Sequence, residues 1–166
     1  MIRRKDGGKP FVSPENGEIV DELFGEVGKG TKQHSLALIT IPHNKSSKLH
    51  YHPVAEESYY IMSGEGEIHY WHVNDLSQTH KVVDILKPGD AVAIPVMYWH
   101  QIFNKKKTDL QFLAVCVPSW HPQCSIFHED LSKSKYLLFL NNFINKTEKS
   151  FFNKFNMEIS QNKSFL

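Results

Sequence analysis

Two histidines one residue apart, His50 and His52, precede the glutamate pair Glu56 and Glu57 in the stretch "LHYHPVAEESYYIMSGEGE". Residues two apart on a strand point to the same face, so the two imidazoles would stand side by side as a chelating pair. The intervening "PVA" contains a proline and small residues suited to a bend that returns a carboxylate toward them. Strand alternation turns one glutamate outward if the other turns inward. A third histidine must come from elsewhere, and "PGDAVAIPVMYWHQIFN" offers His100 at the start of a strand, after a loop opened by Pro95.

The elements that must position these side chains read as strands. From Ser35 to Pro118, short β-branched and aromatic runs alternate with Gly, Pro and Asn/Asp punctuation. "SLALITI", "SYYIM", "EIHYW", "KVVDIL", "AVAIP", "HQIFN" and "LQFLAVCV" are the expected strands, with "KPGD" and "NKKKTD" as the clearest turns. The glycine-rich turn after Met62 is expected to pair Tyr59 and Ile61 with Ile68 and Tyr70 across a hairpin. Upstream, "GEIVDELFG" predicts a further strand at a sheet edge. After about Glu129 the composition turns to Lys, Asn and Phe, and a helix is expected over Leu131 to Ile144, with Leu137, Leu140 and Ile144 on one stripe.

With 166 residues, 40% hydrophobic, the chain suits one globular core. A formal charge of +1 gives no field that would draw it to nucleic acid or an anionic membrane. The opening "MIRRKDGGKP" has no apolar stretch behind its positive residues, so a cytoplasmic protein is expected. Cys116 and Cys124 are too few for a disulfide framework. Cys116 reads as a small buried hydrophobe, because no spacing ties it to a base. His34, His43, His69, His80, His121 and His128 read as surface or internally satisfied residues.

The two histidine stretches resemble the paired motifs of the cupin superfamily, small β-barrels that hold a metal with three His and one Glu. His50, His52, Glu57 and Gly64 fall on the first motif; Gly89, Pro95, His100 and Asn104 fall on the second. Two glycines of the family pattern are replaced, by Asn44 and by Met97. The resemblance implies an all-β, double-stranded β-helix (jelly-roll) barrel over residues 35–128. An N-terminal extension with an edge strand (1–34) would precede it, and a helical or loosely ordered tail (129–166) would follow. It further implies that His50, His52, Glu57 and His100 bind one divalent ion (Fe, Mn, Ni, Co or Zn), and that the protein pairs as a homodimer. Four protein ligands on an octahedral ion leave two positions for a small-molecule substrate or ligand. Tyr59, Tyr70 and Tyr98 are the expected acid/base or orienting groups, since a phenol can donate to an oxygen at the ion. The family hosts dioxygenases, decarboxylases, isomerases and lyases, and also binding proteins without catalysis. The expected function is therefore metal-dependent chemistry on a small oxygen-rich metabolite, with non-catalytic sugar or metabolite binding as the alternative.

Overall fold

The computed structural model describes residues 9–25 and 30–131. The chain divides into two units, Met1–Phe127 and His128–Leu166. In the second, only the short helix α1 (His128–Leu131) is described, so the expected helix over Leu131 to Ile144 lies, beyond its first residue, outside the described residues.

Among the described residues, the first unit has twelve strands: β1 (Phe11–Val12), β2 (Ile19–Phe24), β3 (Ser35–Ile41), β4 (Lys45–Ser46), β5 (His50–Tyr51), β6 (Glu56–Ser63), β7 (Gly66–His72), β8 (Val82–Leu86), β9 (Ala91–Ile94), β10 (Tyr98–Asn104), β11 (Leu110–Val117) and β12 (Ile126–Phe127). They form two antiparallel sheets. One runs β1-β2-β3-β11-β6-β9; the other runs β12-β5-β10-β7-β8, with β4 also paired to β10. All seven strands expected in the core are present, each within a residue or two of its sequence boundaries, and "GEIVDELFG" supplies β2. The two-residue strands β1, β4, β5 and β12 are too short to carry a periodic signal.

Alternation fixes which side chains meet between the sheets. Along β6, exposed Glu56, Ser58, Tyr60 and Met62 interleave with buried Glu57, Tyr59 and Ile61. On β11, Leu110, Phe112, Ala114 and Cys116 turn inward. The resulting core joins Ile39, Ile41, Ile61, Ile68, Ile94, Ile102, Leu110 and Phe112. Fully burying each such side chain contributes about 1.5 to 3 kcal/mol.

The hairpin expected between "SYYIM" and "EIHYW" does not form as a ladder. β6 pairs with β11 and β9 in one sheet, while β7 pairs with β10 and β8 in the other. The turn between them crosses from sheet to sheet. Gly64 makes that crossing with φ +78, and a Cβ there would collide with the Asp109 carbonyl, so two independent constraints demand glycine.

Asn104 holds the other end of the barrel. Its buried side-chain amide donates to the carbonyls of Ile41 and Thr108, both at 2.8 Å, and its Oδ1 accepts the Lys106 amide at 2.9 Å. Every polar atom of this side chain is thus used to pin the "NKKKTD" turn against β3.

Candidate metal centre

Opposite sheets supply the cluster. In one sheet, the inward row Ser35, Cys116, Glu57 and Ile94 is set by the pairings of β3, β11, β6 and β9. In the other, His50, His100 and Tyr70 stand side by side, because β10 pairs with β5 on one edge and β7 on the other. His52 follows β5 on the same face as His50 and is buried. His50, His52, Glu57 and His100 each offer one ligand atom, and these atoms lie within 4.8 Å of one another. Glu57 Oε2 is the hub, at 2.9 Å from His100 Nε2, 3.3 Å from His52 Nε2 and 4.0 Å from His50 Nε2.

The outer nitrogens explain this convergence. His50 Nδ1 donates to the Lys48 carbonyl at 2.8 Å, His52 Nδ1 to the Cys124 carbonyl at 3.0 Å, and His100 Nδ1 to the Tyr98 carbonyl at 2.9 Å. A backbone carbonyl can only accept, so each Nδ1 carries a proton and each Nε2 is the atom presented to the centre. Three imidazoles locked in one tautomer by outer-shell acceptors, with a carboxylate between them, are the arrangement a divalent ion needs. The residues present therefore fit a metal. Glu57 would be held from behind, with its Oε1 taking a long contact from the Cys116 thiol at 3.4 Å and its Oε2 accepting the Tyr59 hydroxyl at 3.1 Å.

Electrostatics agree with the geometry. Burial alone would raise the Glu57 carboxyl, but its close contacts with His100 and His52 outweigh it and hold the group well below the usual carboxylate range. Burial, with the neighbouring His100 and His52, pushes His50 well below the ordinary histidine value and keeps it neutral. His52 is the exception: burial opposes its charge, yet the contacts with Cys124 and Glu57 raise it to about 10. One proton is thus held at His52 against Glu57. Burial, reinforced by the Glu57 charge, pushes the Tyr59 phenol well above its usual value, so it remains a donor.

The cluster opens on one side. His52 and His100 side chains are 1% and 0% exposed, whereas His50 is 14% and Glu57 9% exposed. A ligand would approach past His50 and Glu57. Phe127 lies 5.6 Å from His50, ring to ring, with the Lys48 ammonium 5.5 Å from the Phe127 ring.

The three tyrosines are placed differently. Tyr59 touches Glu57 directly. Tyr70 is the cross-strand partner of His100, and Tyr98 precedes His100 on the same face; both pack on the core and against each other, with ring centroids 6.2 Å apart. Trp99 turns the other way and meets the Tyr51 ring at 4.7 Å. One acidic residue that the sequence did not single out is Glu18, just before β2, whose carboxyl burial raises to about 7.

The Met97 and Asn44 replacements keep the backbone of the glycines they replace. Met97 has φ 63 and Asn44 φ 57. The Met97 amide donates to the His52 carbonyl at 2.9 Å, so a left-handed residue helps to fix a candidate ligand. Asparagine tolerates this conformation readily; methionine does not.

Comparison with known proteins agrees with this architecture. The cupin domain family matches residues 37–116. An uncharacterised protein of Methanocaldococcus jannaschii is 30% identical over 122 residues, covering 74% of this chain and 85% of the relative. Among solved structures, the Lactobacillus farciminis oxalate decarboxylase in its formate complex superposes with a TM-score of 0.62 at 23% identity, covering 74% of this chain and 34% of that one. A recombinant oxalate oxidase in complex with glycolate gives a TM-score of 0.57 at 25% identity, covering 69% of this chain and 57% of that one. This chain therefore spans about a third of the decarboxylase and somewhat over half of the oxidase. The family match, the relative and the two-sheet barrel together show that the chain belongs to the cupin superfamily.

Proposed function

We propose that the protein is a metal-dependent enzyme acting on a small, oxygen-rich metabolite that binds through a chelating pair of oxygens. One observation carries this reading: three histidine Nε2 atoms, each oriented by an Nδ1 bond to a backbone carbonyl, converge on Glu57 Oε2. A divalent ion held there would supply Lewis-acid polarisation of a bound oxygen, and four protein ligands on an octahedral ion leave two positions for a bidentate ligand. His50 and Glu57 lie on the open side, so those positions would face the approach route. The similarity to proteins named oxalate decarboxylase and oxalate oxidase, the latter in complex with glycolate, supports small oxygen-rich acids as the first compounds to test. Tyr59 would orient Glu57, while Tyr70 and Tyr98 would border the ligand beside His100. We place the protein in the cytoplasm as a homodimer. Its outer sheet face supports pairing, since Tyr60, Met62 and Val117 are 50%, 49% and 54% exposed there. Light scattering giving twice the 19.2 kDa chain mass checks it.

The test is a consumption assay on full-length protein loaded with each candidate metal, against panels of hydroxy acids, keto acids, keto-sugars and catechols, with oxygen uptake followed in parallel. Metal-dependent loss of a compound supports the proposal, and oxygen uptake sorts oxidative from non-oxidative chemistry. Tight binding with no consumption under air or under nitrogen would instead make the protein a metabolite-binding cupin.

A further inference from the structure

Apolar side chains continue the inward rows beyond His100 and Glu57. Tyr70 is the cross-strand partner of His100, and Val82, on edge strand β8, is in turn the partner of Tyr70. Directly opposed residues carry their Cβ atoms about 4.5 to 5.5 Å apart, so each side chain in this row borders the next. Tyr98, two residues before His100 on the same face, packs against Tyr70. In the other sheet, Ile94 is the partner of Glu57 and Val92 that of Tyr59. Tyr70, Tyr98 and Val92 all pack on the core cluster that includes Ile94. Each sheet thus contributes an apolar wall that starts at a metal-ligand candidate. Ile68 and Ile102, the next inward residues of β7 and β10, are 0% exposed, whereas Val82 is 39% exposed although its register turns it inward. The walls therefore run from the buried cluster out to solvent at β8.

Charge restricts what such walls accept. A divalent ion with neutral imidazole ligands and the Glu57 carboxylate keeps one net positive charge, enough for one anionic oxygen. The walls themselves carry no basic side chain, and the two lysines that flank these rows in sequence turn elsewhere. Lys48 lies 3.1 Å from Glu15, and the Lys81 ammonium sits 4.8 Å from the Trp71 ring. His72, with its ring centroid 5.2 Å from that of Tyr98, accepts the Asn74 amide on its Nδ1 at 3.2 Å. A backbone amide can only donate, so this ring is a neutral donor rather than a cation. Asp84, the next inward residue of β8 after Val82, adds negative charge at the open end.

We propose, on the reading of the centre given above, that these walls select a singly charged chelator carrying a flat apolar substituent, with Tyr70 and Val82 as the specificity-determining residues. An aryl-substituted 2-hydroxy acid is the simplest such molecule. Its oxygen pair occupies the two open positions of the ion, and its ring lies between the tyrosine pair and the Ile94 and Val92 side chains. A small dianion or a polyhydroxylated sugar offers these walls no apolar surface to bury. A second carboxylate carried on the ring would meet Asp84 and Glu57 with no cation to compensate it.

The test titrates Co(II)-loaded full-length protein, followed by its visible spectrum, with three probes that share one chelating oxygen pair: glycolate, mandelate and 4-carboxymandelate. Mandelate is expected to bind about tenfold to a hundredfold more tightly than glycolate, the gain from burying one phenyl ring. 4-Carboxymandelate should bind more weakly than mandelate. Tyr70→Ala should remove most of the preference for mandelate over glycolate, and Tyr70→Phe should keep it. Val82→Lys, at a position open to solvent, should reverse the order of the two mandelates. Equal affinity of wild type for glycolate and mandelate, a preference unchanged in Tyr70→Ala or lost in Tyr70→Phe, or 4-carboxymandelate binding as tightly as mandelate overturns the proposal. Should Tyr70→Ala not fold, an unreversed order in Val82→Lys overturns it. These outcomes leave the metal-chelate reading standing, because the probes still bind at the ion. Failure of wild type to take up Co(II), or of the loaded protein to bind any of the three probes, would overturn that reading together with this one.

Discussion

His100 Nε2 lies 2.9 Å from Glu57 Oε2 although the two residues are 43 positions apart and belong to different sheets. The contact spans the interior of the barrel, and each partner is aimed by its own sheet: His100 by the Tyr98 carbonyl, Glu57 by the inward alternation of β6. Without His100, Glu57 Oε2 would keep His52 and the Tyr59 hydroxyl as its partners. An ion between them would relieve the crowding of three imidazoles around one carboxylate.

Metal uptake should release a proton across the neutral range. His52, raised to about 10, is protonated below that value, and its Nε2 must lose the proton to bind an ion. Apparent affinity should therefore rise with pH, by about tenfold per unit for one proton displaced. Calorimetry in buffers of differing ionisation enthalpy would measure the release; a pH-independent affinity between about pH 6 and pH 8 would contradict the protonation assigned to His52.

Neither cysteine should react in the native protein. Cys116 and Cys124 are each 3% exposed, and burial beside the Glu57 charge raises the Cys116 thiol far above its usual value. Thiolate is the reactive form, so a disulfide reagent should modify both residues only on unfolding. Rapid labelling of the folded chain would show that the Cys116 to Glu57 contact is not maintained.

Met97→Gly should stabilise the fold. At φ 63 a methionine costs roughly 1 kcal/mol relative to glycine, and the substitution keeps the Met97 amide bond to the His52 carbonyl. Denaturant unfolding should show a gain of about 0.5 to 1 kcal/mol. A loss would mean that packing of the half-buried Met97 side chain outweighs the backbone strain.

The grouping of the four candidate ligands was legible partly from a local rule and partly from the places of Glu57 and His100 in the two family motifs. His50 and His52 share a face by strand alternation, whereas alternation left Glu56 and Glu57 as alternatives and the spacing of Glu57 to Gly64 chose between them. Sheet membership was not legible. The "SGEGE" turn reads equally well as a hairpin, and only competition from β11 for the edge of β6 sends β7 into the other sheet. The buried face of β2 was hidden for a related reason: in "GEIVDELFG" both faces of the strand mix acidic with apolar residues, so alternation alone cannot say which face is buried. The pairing of Val20 with Ile39 settles it.

The central claim is that His50, His52, Glu57 and His100 together hold one divalent ion. It is tested most directly by elemental analysis of purified full-length protein beside its His52→Ala and His69→Ala variants. His69 is the matched control, since its ring bonds Glu67 at 2.6 Å and does not belong to the four-ligand cluster. The account predicts about one ion per chain in wild type and in His69→Ala, with affinity down by more than about a hundredfold in His52→Ala. Equal metal content in the two variants, or none in wild type after loading, would contradict it.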